Sequence, residues 1–177
     1  TLEPKYQQEE LRPTGGDNVI EVYVSSILNP SQFYVQKVGP QSVALDKLVQ
    51  EMTAYYEITA NQTINKLADV NPGDLVASQI SSDNNWYRAR VVDVIIPEDE
   101  YDESRREVEI DFLDFGDCER KQLTGVFKLL NNFLTLNFQA IECCLADVGP
   151  NTETSKYDLT DTNSYHSWSE EAADDFE

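Results

Sequence analysis

The sequence is poor in residues that bind metals or attack substrates. It has one histidine, His166, one methionine, Met52, and three cysteines, Cys118, Cys143 and Cys144. His166 lies far along the chain from all three thiols and no Cys-x-x-Cys pair occurs, so a zinc site is not expected. An odd number of cysteines, two of them adjacent, is a poor disulfide framework and points to a reducing compartment. A cysteine nucleophile would need a base beside it, and only one histidine is on offer. No run of 18 apolar residues could cross a membrane as a helix. Thr1 opens no signal-peptide pattern, and the missing Met reads as a fragment boundary. Basic residues are scarce too: 13 Lys and Arg face 33 Asp and Glu, for a net charge of −20. Binding a nucleic-acid backbone needs a basic footprint, so this balance argues against it and favours a cationic partner.

What is present divides along the chain. A length of 177 residues is one domain or two small ones. Residues 1–17 are polar, with Pro4, Pro13, Gly15 and Gly16, and read as a tail. VIEVYVSSI (19–27) and QFYVQKV (32–38) alternate apolar and polar around Asn29-Pro30-Ser31, the pattern of a hairpin. Over 41–58, Leu45, Leu48, Val49, Met52 and Tyr56 keep helical spacing.

A second block starts near Ile64. LVASQI (75–80), WYRARVVDVII (86–96), VEIDFLDF (108–115) and CERKQL (118–123) are short strands. The turns NPGD, SSDNN and Gly116, and the charged stretch 97–107, an exposed loop, separate them. Four such strands in so short a span read as a small β-barrel. FQAIECCLADV (138–148) returns to strand character and 149–163 reads as a loop. SWSEEAADDFE (167–177) starts a helix, with Ser167 and Glu170 at capping-box spacing. It has no stop signal before Glu177, and reads as a helix belonging to the fold.

The stretch EVEIDFLDFGD (107–117) mixes two aromatics, Phe112 and Phe115, with three carboxylates, Asp111, Asp114 and Asp117. Taken alone, either Phe reads as barrel filling and Trp86 as core. Arg88 and Arg90 alternate with Ala89 and Val91, which fits solvent-facing residues or surface ion pairs. Asp114-Phe115-Gly116 matches a kinase motif, but no glycine-rich loop or HRD accompanies it.

NWYRARVVDV, VEIDFLDFGD and FQAIECCLADV, at these spacings, resemble the Tudor domain. More narrowly they resemble the extended Tudor domain of Tudor–KH proteins, a mainly β fold with helices. The resemblance implies a Tudor barrel at 64–137, flanked by two halves of a staphylococcal-nuclease-like OB lobe at 18–63 and 138–177. It further implies a non-catalytic adaptor with no cofactor, binding arginine or methylated arginine in Arg-Gly or Arg-Ala segments. The partner would be the N-terminal tail of a Piwi-family Argonaute in the piRNA pathway. A monomer that does not touch nucleic acid is expected, cytoplasmic, in germline granules or at the mitochondrial outer surface. The chemistry is coherent. A guanidinium is flat and weakly hydrated, so aromatic faces attract it, and methyl groups add apolar area without removing charge.

By motif, Tyr87, Phe112 and Phe115 fall at cage positions. Asp117 stands where the family usually has an amide-bearing Asn, and Asp114 lies between. The first cage aromatic falls at Ile80 or Ser81, so one wall is missing. The rival readings are a nucleic-acid-binding OB or Tudor module, a methyl-lysine reader and a nuclease. The last would need a basic, metal-bearing pocket, which nothing in the sequence supplies.

Overall fold

The structure is a computed structural model that describes residues 7–12, 19–96, 106–150 and 168–176. Among the described residues there are two antiparallel sheets and three α-helices. Strands β1 (Val22–Asn29) and β2 (Gln32–Lys37) form the expected hairpin, and β8 (Ile141–Cys143) adds to β2 from far along the chain. The second sheet has five strands: β3 (Leu75–Gln79), β4 (Trp86–Ile95), β5 (Glu107–Phe112), β6 (Cys118–Gln122) and β7 (Phe127–Lys128), in the order β6-β5-β4-β3-β7.

Helix α1 (Pro40–Tyr56) joins the sheets, and a short helix α2 (Thr59–Ile64) follows it. Pro40 at the first helical position suits a helix start, because its missing N–H would be unpaired there anyway. The apolar stripe on α1 buries Leu45, Leu48, Met52 and Tyr56 against Ala77, Trp86, Phe127, Leu129 and Phe133. Tyr56 stacks on Trp86 with centroids 5.1 Å apart, so Trp86 is core, as read. The other face of the five-stranded sheet encloses Val76, Ala89, Val91, Val108, Ile110 and Phe112.

Several expectations need correcting. The strand over VEIDFLDF stops at Phe112; Leu113, Asp114 and Phe115 form a turn closed by Gly116 N–H donating to the Phe112 carbonyl at 2.8 Å. FQAIECCLADV is strand only over Ile141–Cys143. The N-cap of α3 (Glu170–Asp174) is Ser169, whose hydroxyl accepts from the Ala172 N–H; Ser167 lies outside the described residues, as do 97–105. Part of the supposed tail is also docked: Gln8 pairs with Phe138, and Lys37 bridges to Glu9 at 2.5 Å.

Candidate arginine site

The residues singled out in the sequence separate into two environments. Tyr87 comes from β4 and faces the interior side of the sheet. Phe115 comes from the turn after β5. Their ring centroids are 5.1 Å apart at 81°, so the two faces form a corner. An open cleft of about 430 Å³ lies there, lined by Ile80, Ser82, Asp83, Tyr87, Phe115, Asp117, Cys118 and Glu119.

Ser81, Phe112 and Asp114 do not line this cleft. Phe112 is 1% exposed and stands behind Tyr87, centroids 6.1 Å apart, so it backs the corner and offers no face to it. Ser81 turns to β6, where its N–H and hydroxyl donate to Glu119 at 2.9 and 2.8 Å, and Lys121 Nζ caps the pair, 2.5 Å from Glu119. Asp114 is 2% exposed and bound to Arg88, which is itself fully buried. Arg88 is therefore an interior residue, neither solvent-facing nor a surface ion pair.

Four cleft residues, Ser82, Asp83, Cys118 and Glu119, escaped the sequence reading of the site. Asp83 sits in the turn between β3 and β4 and accepts the Tyr87 hydroxyl at 2.6 Å, which fixes that ring. Its signal was an Asp four residues before the Tyr, in a turn that read only as a connection. Glu119 and Lys121 sat in a strand with no motif of its own.

The electrostatics follow from these contacts. Burial pushes the Asp83 carboxyl up, but hydrogen bonds from Tyr87 and Asn85 outweigh it and hold the group below its ordinary value. Glu119 ends below its ordinary value in the same way, through Lys121 and Ser81. Burial, then the Asp83 bond, pushes the Tyr87 hydroxyl up to about 12. Burial, then Asp111, pushes the Cys118 thiol up to about 12, so it is not a thiolate nucleophile. Asp117 lies above its ordinary 3.8, through burial and the charge of Glu119, with a Ser26 hydrogen bond opposing. Among the described residues no group of His, Cys, Asp and Glu could hold a metal ion, and no helix is long and apolar enough to cross a membrane.

Two aromatic faces at right angles beside carboxylates have the chemistry that attracts a flat cation. The comparisons agree on the family. A Tudor domain family model matches residues 15–147. The chain belongs to the Tudor family. Over 140 residues this Tudor domain is 39% identical to the Tudor and KH domain-containing protein homolog of Drosophila melanogaster, covering 79% of this chain and 24% of that protein. The chain thus spans about a quarter of that relative's length. The Papi extended Tudor domain of Drosophila melanogaster, solved in complex with a Piwi N-terminal peptide, matches with a TM-score of 0.77 at 34% identity, over 89% of this chain and 67% of that one. The extended Tudor domain of BmPAPI, solved in complex with sDMA, matches with a TM-score of 0.69 at 44% identity, over 74% of this chain and 66% of that one.

Proposed function

We propose that this extended Tudor domain is a non-catalytic adaptor that reads arginine, unmodified or methylated, in the N-terminal tail of a Piwi-family Argonaute. The Tyr87–Phe115 corner beside Asp117 carries the reading. The guanidinium lies against the two rings and donates to Asp117, with Asp83 and Glu119 supplying field. Small Gly or Ala residues beside the arginine let the peptide backbone follow the surface. A second cleft of about 250 Å³ lies beyond Gly116, lined by Tyr34, Arg90, Asp111 and Glu142 among others, and gives the peptide a path between barrel and lobe. The net charge of −20 favours such a basic tail and repels nucleic acid. Placement in the piRNA pathway and in the cytoplasm belongs to the same proposal.

Calorimetry with matched peptides carrying Arg, dimethyl-Arg or methyl-Lys tests it. Arginine peptides should bind, and Phe115→Ala should weaken them by roughly 1–2 kcal/mol, as for a desolvated cation–π contact. Equal binding of the lysine peptides, or no effect of Phe115→Ala in a folded protein, refutes the placement.

A further inference from the structure

Residues 7–9 are built into the fold beside the second cleft. They run parallel to 137–139 as a one-rung strand pair. Phe138 N–H donates to the Gln7 carbonyl at 3.0 Å, and Glu9 N–H donates to the Phe138 carbonyl at 2.8 Å. Glu9 then pins the segment sideways. Its carboxylate bridges to Lys37 of β2 at 2.5 Å and accepts from Asn137 Nδ2 at 3.3 Å. The side chains of Glu9 and Lys37 are only 14% and 19% exposed, so this is not one of the exposed pairs that contribute little. The stretch they dock on is itself held from the other side. Arg88 donates to the Asn137 carbonyl, the Gln139 N–H to Asp114, and the Ala140 N–H to the Leu113 carbonyl at 3.2 Å.

Gln8 stands on this rigid support. Its Nε2 donates to the Phe138 carbonyl at 2.9 Å and also to the Ala140 carbonyl. Both neighbours are acceptors, so the amide has one orientation: its NH₂ is spent on the protein and Oε1 is the free end. Among the described residues nothing donates to that oxygen. Gln8 lines the second cleft with Tyr34, Arg90, Asp111, Gly116 and Glu142. Gly116 lies between Phe115 and Asp117 of the arginine cleft, so the two clefts meet at that turn. Asp111 and Glu142 are charged acceptors and attract cations more strongly than an amide does. A neutral, immobilised oxygen beside them suits a neutral donor, and an extended peptide offers one N–H at every residue except proline. The rotamer is already fixed, so little side-chain freedom is lost when that donor arrives.

We propose that Gln8 binds the main chain of the bound peptide through Oε1, and that residues 7–9 are the strand that positions it. The inference rests on the reading of the Tyr87–Phe115 corner as an arginine site. The arginine fills the corner, the peptide crosses Gly116, and the N–H of a residue beyond the arginine donates to Gln8. A main-chain contact carries no side-chain preference except one: proline is excluded where the N–H is needed. Gln8 therefore adds affinity and fixes register, while the corner selects arginine.

Calorimetry tests this with a short synthetic peptide, one arginine flanked by Gly and Ala, and copies each N-methylated at one backbone position. Wild type should lose roughly three- to tenfold in affinity when one particular position is methylated, the loss of one hydrogen bond. Gln8→Ala should bind the unmodified peptide more weakly by a similar factor and show no further loss at that position. Amide hydrogen exchange on the free protein reads the strand itself. The Phe138 N–H should exchange slowly, and Glu9→Ala should speed it. A folded Gln8→Ala protein that binds the unmodified peptide like the wild type, or that keeps the same loss on N-methylation, overturns the proposal. Fast exchange at Phe138 in the wild type overturns the positioning strand. A wild type that binds no arginine peptide refutes the arginine reading and the proposal with it, whereas binding without a Gln8-dependent position refutes the proposal alone.

Discussion

Arg88 and Asp114 meet edge to edge inside the protein: Nε donates to Oδ2 at 2.8 Å and Nη2 to Oδ1 at 2.6 Å. The other guanidinium N–H groups go to the carbonyls of Phe133, Leu136 and Asn137, and the Gln139 N–H returns to Asp114 at 3.1 Å. Phe138 lies 4.9 Å from the guanidinium carbon. The pair therefore ties the five-stranded sheet to the segment 133–139 that leads to β8.

Removing one partner leaves a buried charge uncompensated. Asp114→Ala should cost roughly 3–5 kcal/mol in urea denaturation, and adding Arg88→Met should recover much of that, since an apolar pair of similar volume avoids the desolvation cost. A loss below 1 kcal/mol for Asp114→Ala would show that water reaches the pair.

Gly116 has two separate reasons to be glycine. Its φ is +90°, and a Cβ there would stand 2.1 Å from Cγ of Tyr34. Gly116→Ala should destabilise the protein by roughly 1–3 kcal/mol and weaken peptide binding, because the turn must shift. Adding Tyr34→Ala relieves the clash but not the φ, so stability should return only in part. Full recovery would mean that the backbone conformation carries no cost.

The fold was legible wherever a period ran long enough to count. The β1–β2 hairpin and α1 follow directly from alternation and from the 45/48/49/52/56 spacing. Strand β7 has two residues and the 3₁₀ turns Leu123–Gly125 and Asn131–Leu134 have three and four, too short for any pattern to show. Asp114 and Asp117 are the same residue type three apart, and composition cannot tell them apart. Parity could not help, because the strand ends at Phe112 and Asp114 lies in the turn beyond it, buried all the same. What made its burial tolerable was Arg88, 26 residues away. A β-bulge at Ser25, where the register of β1 with β2 skips a residue, was invisible for a related reason: VSSI reads as an ordinary strand until its partner's register is known.

Binding should depend on pH through Asp117. Its carboxyl lies above its ordinary value in the folded protein, chiefly through burial. Because the folded value is the raised one, this group's shift favours the fold at low pH, and that contribution is lost as pH rises through the folded pKa. Ligand binding runs the other way. A guanidinium needs the carboxylate, so affinity should fall as pH drops through the same pKa. Asp117→Asn should flatten that profile in the range above the ordinary Asp value, where the raised carboxyl titrates. Affinity for the natural sequence should also fall with salt, since exposed acids steer a basic peptide. Calorimetry across pH and ionic strength checks both. An Asn variant that keeps the wild-type pH profile would assign the titration to another group.

Methyl discrimination should be weak, and the wall between β3 and β4 is the reason. A four-sided aromatic cage rewards a methyl group both by burial and by excluding water from the charge. In this cleft one side is Ile80, and the next residue, Ser81, is turned to Glu119. An aliphatic wall gives burial without the aromatic face, while unmodified arginine keeps more N–H donors for Asp117 and the other acids. Unmodified arginine should therefore bind within about tenfold of the symmetric dimethyl form, a difference of no more than roughly 1.4 kcal/mol. Ile80→Phe places an aromatic in the open wall and should raise the preference for the dimethyl form. Ser81→Phe should not: it removes the hydroxyl that bonds Glu119 and Lys121, on the side of the turn facing β6 and away from the cleft. Paired titrations of the two peptides against the wild type and both variants decide it. A wild-type preference for the dimethyl form of a hundredfold or more would show that an aromatic from elsewhere in the chain completes the cage.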